Sequence, residues 1–117
     1  MRNTIEHGIC TLEATVGQRL PKHYRAFLKE KIGLAEVISL ETRNGDSFYG
    51  YGYTQLQERN STYAIQDIAP HLLLIGQDGD MGYFLDLSQC TDAVYSADLG
   101  ALGCTDMQWE AESILEL

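Results

Sequence analysis

The sequence predicts an α+β domain, an antiparallel sheet flanked by N-terminal helices and a closing C-terminal helix. Three observations lead there. Apolar residues recur at helical spacing before residue 34 and again after residue 106, whereas the stretch between is rich in aromatic and β-branched runs. Asn44-Gly45 stands between two of those runs, a strong short-range hairpin signal. Helices gathered at the chain ends, rather than alternating with strands, favour α+β over a parallel α/β sheet.

Each element has its own signal. Ile5, Ile9, Leu12 and Val16 fall on one helical stripe, and Gly17 follows as a stop. "LPKHYRAFLKEKIG" predicts a second helix with Pro21 in its first turn and Gly33 at its end. Tyr24, Phe27 and Leu28 form its inward face, while Lys22, Arg25 and Lys29 share the outer one. "EVISLETRNGDSFYGYGY" is a hairpin, and Thr54 with Gln57 suggests a capping box opening a short helix, "TQLQERN". "LLLIG", "MGYFLDL" and "AVYSA" are strands by their apolar, aromatic and β-branched content. In "DMQWEAESILEL", Met107, Ala111, Ile114 and Leu115 share one helical stripe, with Asp106 as the cap.

Residues 1–117 are expected to form a single domain, since 117 residues with a 44% hydrophobic content suffice for one core without disulfide staples. The three cysteines, Cys10, Cys90 and Cys104, are far apart and form no CxxC pair, which argues against a disulfide scaffold or a zinc ribbon. No run approaches a membrane span, and "MRNTIEHGIC" lacks the apolar core of a signal peptide, so a cytoplasmic protein is expected. The net charge of -9 is unevenly spread. Residues 1–31 carry six Lys/Arg against three acids; residues 32–117 carry two against fourteen, and none follows Arg59. Such a balance disfavours nucleic acid and anionic membranes and favours cationic partners, although acidity also simply keeps proteins in solution.

Nothing in the sequence makes an active site. The stretch "IGQDGDMGYFLDL" places Asp78 and Asp80 around Gly79, but Gly82, Tyr83 and Phe84 occupy positions where a calcium loop needs oxygen ligands. Phosphate binding would need a cation and a following helix, and a strand follows instead. The stretch is expected to be a hairpin turn with positive-φ glycines and aspartates capping local amides. His7 and Cys10, three apart on the first helix, have no third partner; His23 and His71 are surface or capping residues beside prolines. No catalytic residue, metal ligand or cofactor is therefore expected. Tyr49, Tyr51 and Tyr53 alternate with glycines on one strand face, which either covers a core edge or is a sticky surface. Trp109 lies opposite the closing helix's apolar stripe, beside Glu112 and Glu116. It is either a partner anchor ringed by acids or a side chain packed on a neighbouring loop.

The order of these signals resembles a known family. "TLEATVGQRLPKHYRAFL" is similar to the opening of the SMI1/KNR4 domain of the SUKH superfamily: a short helix ending in glycine, then Leu-Pro, an aromatic and Phe-Leu. "YTQLQERNSTYAIQDIAPHLLLIGQDGDMGYFLDL" resembles that family's middle, and "AVYSADLG" and the expected closing helix fit its end. One departure is "KEKIGL", where the family usually has an Asn-Gly-Gly type stop. The resemblance implies an α+β domain without catalytic residues. Bacterial members are mostly immunity proteins that neutralise a cognate toxin, often a nuclease, in polymorphic-toxin or contact-dependent systems; eukaryotic relatives are regulatory or adaptor modules. An immunity protein acting by stoichiometric blockade is thus the expectation, with an intracellular adaptor as the alternative. The partner would be a toxin with a basic surface, met by a monomer or weak homo-oligomer. The expected contact residues are Asp78, Asp80, Asp86, Asp92, Asp98, Trp109, Glu112 and Glu116.

Overall fold

The computed structural model describes residues 2–33, 35–42, 45–89, 91–101 and 107–114. Helix α1 (Arg2–Val16) is followed by α2 (Lys22–Phe27), which runs on as a π-helical turn over Leu28–Ile32. Strands β1 (Val37–Glu41) and β2 (Ser47–Tyr51) precede helices α3 (Tyr53–Thr62) and α4 (Ile65–Ile68). Strands β3 (Leu72–Asp78), β4 (Met81–Asp86), β5 (Val94–Asp98) and β6 (Gln108–Ala111) complete the order. The described strands form one six-stranded sheet in the order β1-β2-β3-β4-β5-β6, each neighbour antiparallel. The α+β prediction holds.

The core lies between the helices and the central strands. Ile9, Leu12, Tyr24, Phe27, Leu28 and Ile32 are buried, as the stripes of the first two helices require, together with Leu73, Leu74, Phe84 and Leu85 from β3 and β4. Phe48 of β2 stacks on Tyr83 of β4 with ring centroids 3.9 Å apart, locking two strands that do not pair directly. The "KEKIGL" departure is absorbed by the π-helical turn, which keeps Leu28 and Ile32 buried and ends at Gly33.

Strand β3 has an unusual edge. It pairs with β2 only at Tyr49–Gln77 and Gly50–Gly76, leaving its earlier residues without a strand on that side. Side chains of the helical segment fill the gap. Asn60 Nδ2 donates to the carbonyls of Leu74 (2.9 Å) and Leu56 (2.7 Å), and Asn60 Oδ1 accepts from the Leu74 N–H (2.8 Å). Gln66 Nε2 donates to Leu72 O (2.7 Å) and to Asn60 Oδ1 (3.1 Å). Asn60 is buried, and all four of its hydrogen-bonding positions are used.

Three local expectations are corrected. The closing segment is a strand, not a helix: Gln108–Ala111 pairs with β5, with Ala111 opposite Val94 and Trp109 opposite Tyr95. The unpaired N–H and C=O groups of β5 require partners, and only an extended segment supplies them in a row. The helical spacing of Met107, Ala111 and Ile114 yields to that need; Asp106 and Leu115 lie outside the described residues. The suggested Thr54–Gln57 capping box does not form, because the N-cap of α3 is Gly52, two residues before Thr54, with no side-chain cap bond. Tyr53 therefore belongs to α3, leaving only Tyr49 and Tyr51 on β2.

Candidate functional site

The stretch around Asp78 is a turn. β3 ends at Asp78 and β4 begins at its partner Met81, so Gly79-Asp80 is a two-residue hairpin loop. Gly79 has φ +57° and Asp80 does not have positive φ, the II′ arrangement with glycine first. Asp80 O accepts from the Leu99 N–H at 2.8 Å, and Gly79 O accepts from Gln77 Nε2 at 2.8 Å. The turn's local bonds thus use backbone carbonyls rather than the expected aspartate caps. Gly82 serves close packing instead, since a Cβ there would meet Leu99 and Phe84 at 2.9 Å.

This turn gathers three of the expected acids. Asp78 pairs with Met81 and Met81 with Asp98, placing the three in one row across β3, β4 and β5, on one face. Asp80 adjoins them in the loop, and all three aspartates are exposed, as is Met81 at 40%. Asp98 Oδ1 accepts from the Gly100 N–H at 2.8 Å. Among the described residues the side chains of Asp78 and Asp80 have no hydrogen-bond or ion-pair partner. Burial raises the Tyr83 hydroxyl above its ordinary value, and the carboxylates of Glu110, Asp46 and Asp78 push it the same way.

The other acids are elsewhere. Asp86 pairs with Leu72 at the opposite end of β4 and accepts from the Ser88 N–H (3.0 Å) and hydroxyl (2.6 Å). Asp92 reaches back to the start of α2: Oδ1 accepts from the N–H groups of His23 and Tyr24, both at 3.1 Å, and Oδ2 lies 3.2 Å from His23 Nδ1. It caps a helix that has no cap of its own from Pro21. Trp109 is 48% exposed on the edge strand, not on a helix, and Glu112 is exposed beyond it. Glu116 lies outside the described residues.

The outer basic face expected of the second helix is partly spent on α1. Lys29 Nζ is 2.9 Å from Glu6 Oε1, and Arg25 Nη2 is 3.8 Å from Glu13 Oε1. His7 and Cys10 are exposed. Among the described residues no group of three or more His, Cys, Asp or Glu is placed to hold a metal ion, and no helix is long and apolar enough to cross a membrane.

A second surface escaped the sequence reading in part. Tyr49 and Tyr51 share a face of β2 and line a groove of about 390 Å³ with Val37, Arg59, Gln77 and Gly79. The Tyr51 hydroxyl donates to Gln77 Oε1, and Gln77 Nε2 donates in turn to Tyr63 Oη at 2.9 Å. Burial raises the Tyr51 hydroxyl above its usual value; the Arg59 guanidinium opposes that and Tyr63 adds to it. The sequence signal for this site was the last cation of the chain following an alternating tyrosine run.

A family model described as SMI1 / KNR4 family (SUKH-1) matches residues 9–113. No curated protein matches the chain.

Proposed function

The chain belongs to the SMI1/KNR4 (SUKH-1) family, and from that premise we propose that it is an immunity protein that binds and neutralises a cognate bacterial toxin in the cytoplasm. The observation that carries this reading is the exposed row of Asp78, Met81 and Asp98 with Asp80 beside it. Two of its carboxylates have no work in the fold among the described residues. Unpaired carboxylates around an exposed methionine form a surface that gains by meeting cations and a small apolar patch.

A nuclease toxin fits that surface in charge, because it must present cations to its phosphodiester substrate. Covering those cations blocks the substrate stoichiometrically, with no chemistry by the inhibitor. The excess of fourteen acids over two cations in residues 32–117 steers the encounter as well. Trp109, exposed on the edge strand, pairs with Tyr95 and so lies on the other face of the sheet from Met81 and Asp98, which leaves it outside this surface.

Titration of candidate toxin domains with the protein tests the proposal. Toxin activity should vanish at one equivalent, and raising salt should slow association more than it changes dissociation. The Asp78→Asn/Asp80→Asn variant should associate roughly tenfold more slowly at low salt. An association rate indifferent to both changes would remove the acidic row from recognition. Co-purification with a regulatory partner, and with no toxin domain, would favour the adaptor alternative.

A further inference from the structure

A groove on the other face of the sheet from the acidic row carries opposite chemistry. Its floor is held in place by the Tyr51–Gln77–Tyr63 chain of hydrogen bonds, in which both hydrogen-bonding ends of the Gln77 amide are engaged. Its rim is apolar and open: Tyr49 is 60% exposed and Val37 45% exposed. Arg59 lines it, and among the described residues its guanidinium has no carboxylate partner. Its Nε is buried and, like that of Arg25, makes no hydrogen bond among the described residues.

That combination is unexpected in so acidic a chain. A guanidinium surrounded by surplus carboxylates would ordinarily be paired, as Arg25 is with Glu13. The guanidinium fork matches a carboxylate better than any other common group. The tyrosine and valine rim, in turn, suits an aliphatic side chain next to that carboxylate.

We propose that this groove binds an extended segment of a protein partner, placing an Asp or Glu side chain on Arg59 and a neighbouring aliphatic side chain between Tyr49 and Val37. Gly79 belongs both to the groove and to the turn carrying Asp78 and Asp80. Gln77 and Asp78 are consecutive on β3 and point to opposite faces, so the partner's carboxylate meets Arg59 on the face away from the Asp78–Met81–Asp98 row. That contact fixes the orientation of a partner that the acidic field alone would hold in many poses. The inference rests on the chain being a protein-binding domain, not on the partner being a toxin.

The test uses the full chain, amide chemical shifts, and two capped probes, acetyl-Leu-Asp-Leu-amide and acetyl-Leu-Asn-Leu-amide. The Asp probe should shift the signals of Tyr49, Gln77 and Gly79 and saturate in roughly the millimolar range. The Asn probe should bind at least about fivefold more weakly, because it offers no charged acceptor. Arg59→Gln should erase the difference between the probes, and Arg59→Lys should restore only part of it. Tyr49→Ser, at an exposed position, should weaken both probes alike. Equal shifts with the two probes, or shifts confined to other residues, would overturn the proposal. Sodium acetate matching the Asp probe in affinity and in the residues shifted would overturn the peptide assignment, leaving a site for a free carboxylate. Because no toxin enters this experiment, its failure would leave the immunity reading standing.

Discussion

Polar side chains near the helices and polar side chains at the β3–β4 turn do different work. Toward the helices, Asn60, Gln66 and Asp92 bond backbone groups that have no other protein partner. At the turn, the side chains of Asp78 and Asp80 bond nothing among the described residues. The difference teaches how to sort an acidic sequence. A carboxylate facing unsatisfied N–H groups belongs to the fold, whereas one left free on a paired turn is available to a partner.

The sharpest way to break this comparison is Asn60→Ala. It strips the Leu74 N–H and C=O of their buried partners and should cost about 3 kcal/mol of folding stability, read from denaturant melts. A loss under about 1 kcal/mol would mean that water or a strand replaces the amide. Asp92→Ala comes next: losing two N–H acceptors at the start of α2 should cost about 1–2 kcal/mol. If Asp92 were instead a contact residue alone, folding would be unchanged and only partner binding would fall.

Tyr24 sharpens the comparison from within the core. Its hydroxyl is buried and has no hydrogen-bond partner among the described residues, so Tyr24→Phe should change stability by less than about 1 kcal/mol, in either direction. Burial raises its pKa far above the ordinary value of a tyrosine. The unfolded chain therefore ionises first, and stability present below about pH 10 should fall as pH rises beyond it. The phenylalanine variant should lose less stability over that window in alkaline melts. The smallest expected effect is at the turn, where Asp78→Asn/Asp80→Asn should leave folding within about 0.5 kcal/mol. A larger loss there would show that the turn's carboxylates serve the fold after all.

Much of the architecture was legible in the chain because its signals are local. Helical stripes needed only Ile9, Leu12, Tyr24, Phe27 and Leu28, and all five are buried. The two runs pair antiparallel as the hairpin expectation requires, with Glu41 opposite Ser47; Asn44 itself lies outside the described residues. The tail was misread for a physical reason. Alternation over Ala111, Glu112 and Ser113, buried, exposed and buried, is as compatible with its residues as a helical stripe is. Only the open edge of β5 distinguishes the two.

The sequence by itself determined the α+β class, helices α1 to α3 and the strands up to β5, the absence of a recognisable metal or phosphate motif, and the acidic balance after residue 31. Each follows from spacing, residue type or charge within a short window. Tertiary structure alone decided which acids share a surface. Asp78, Asp80 and Asp98 meet because Met81 pairs with partners on both sides, and Asp92 leaves the set because it lies against an uncapped helix 68 residues away in sequence. It also decided that Arg59 shares a groove with Tyr49 and Tyr51. Sheet register and helix docking set those distances, and both depend on burial and hydrogen-bond satisfaction across the whole chain, which no local window contains.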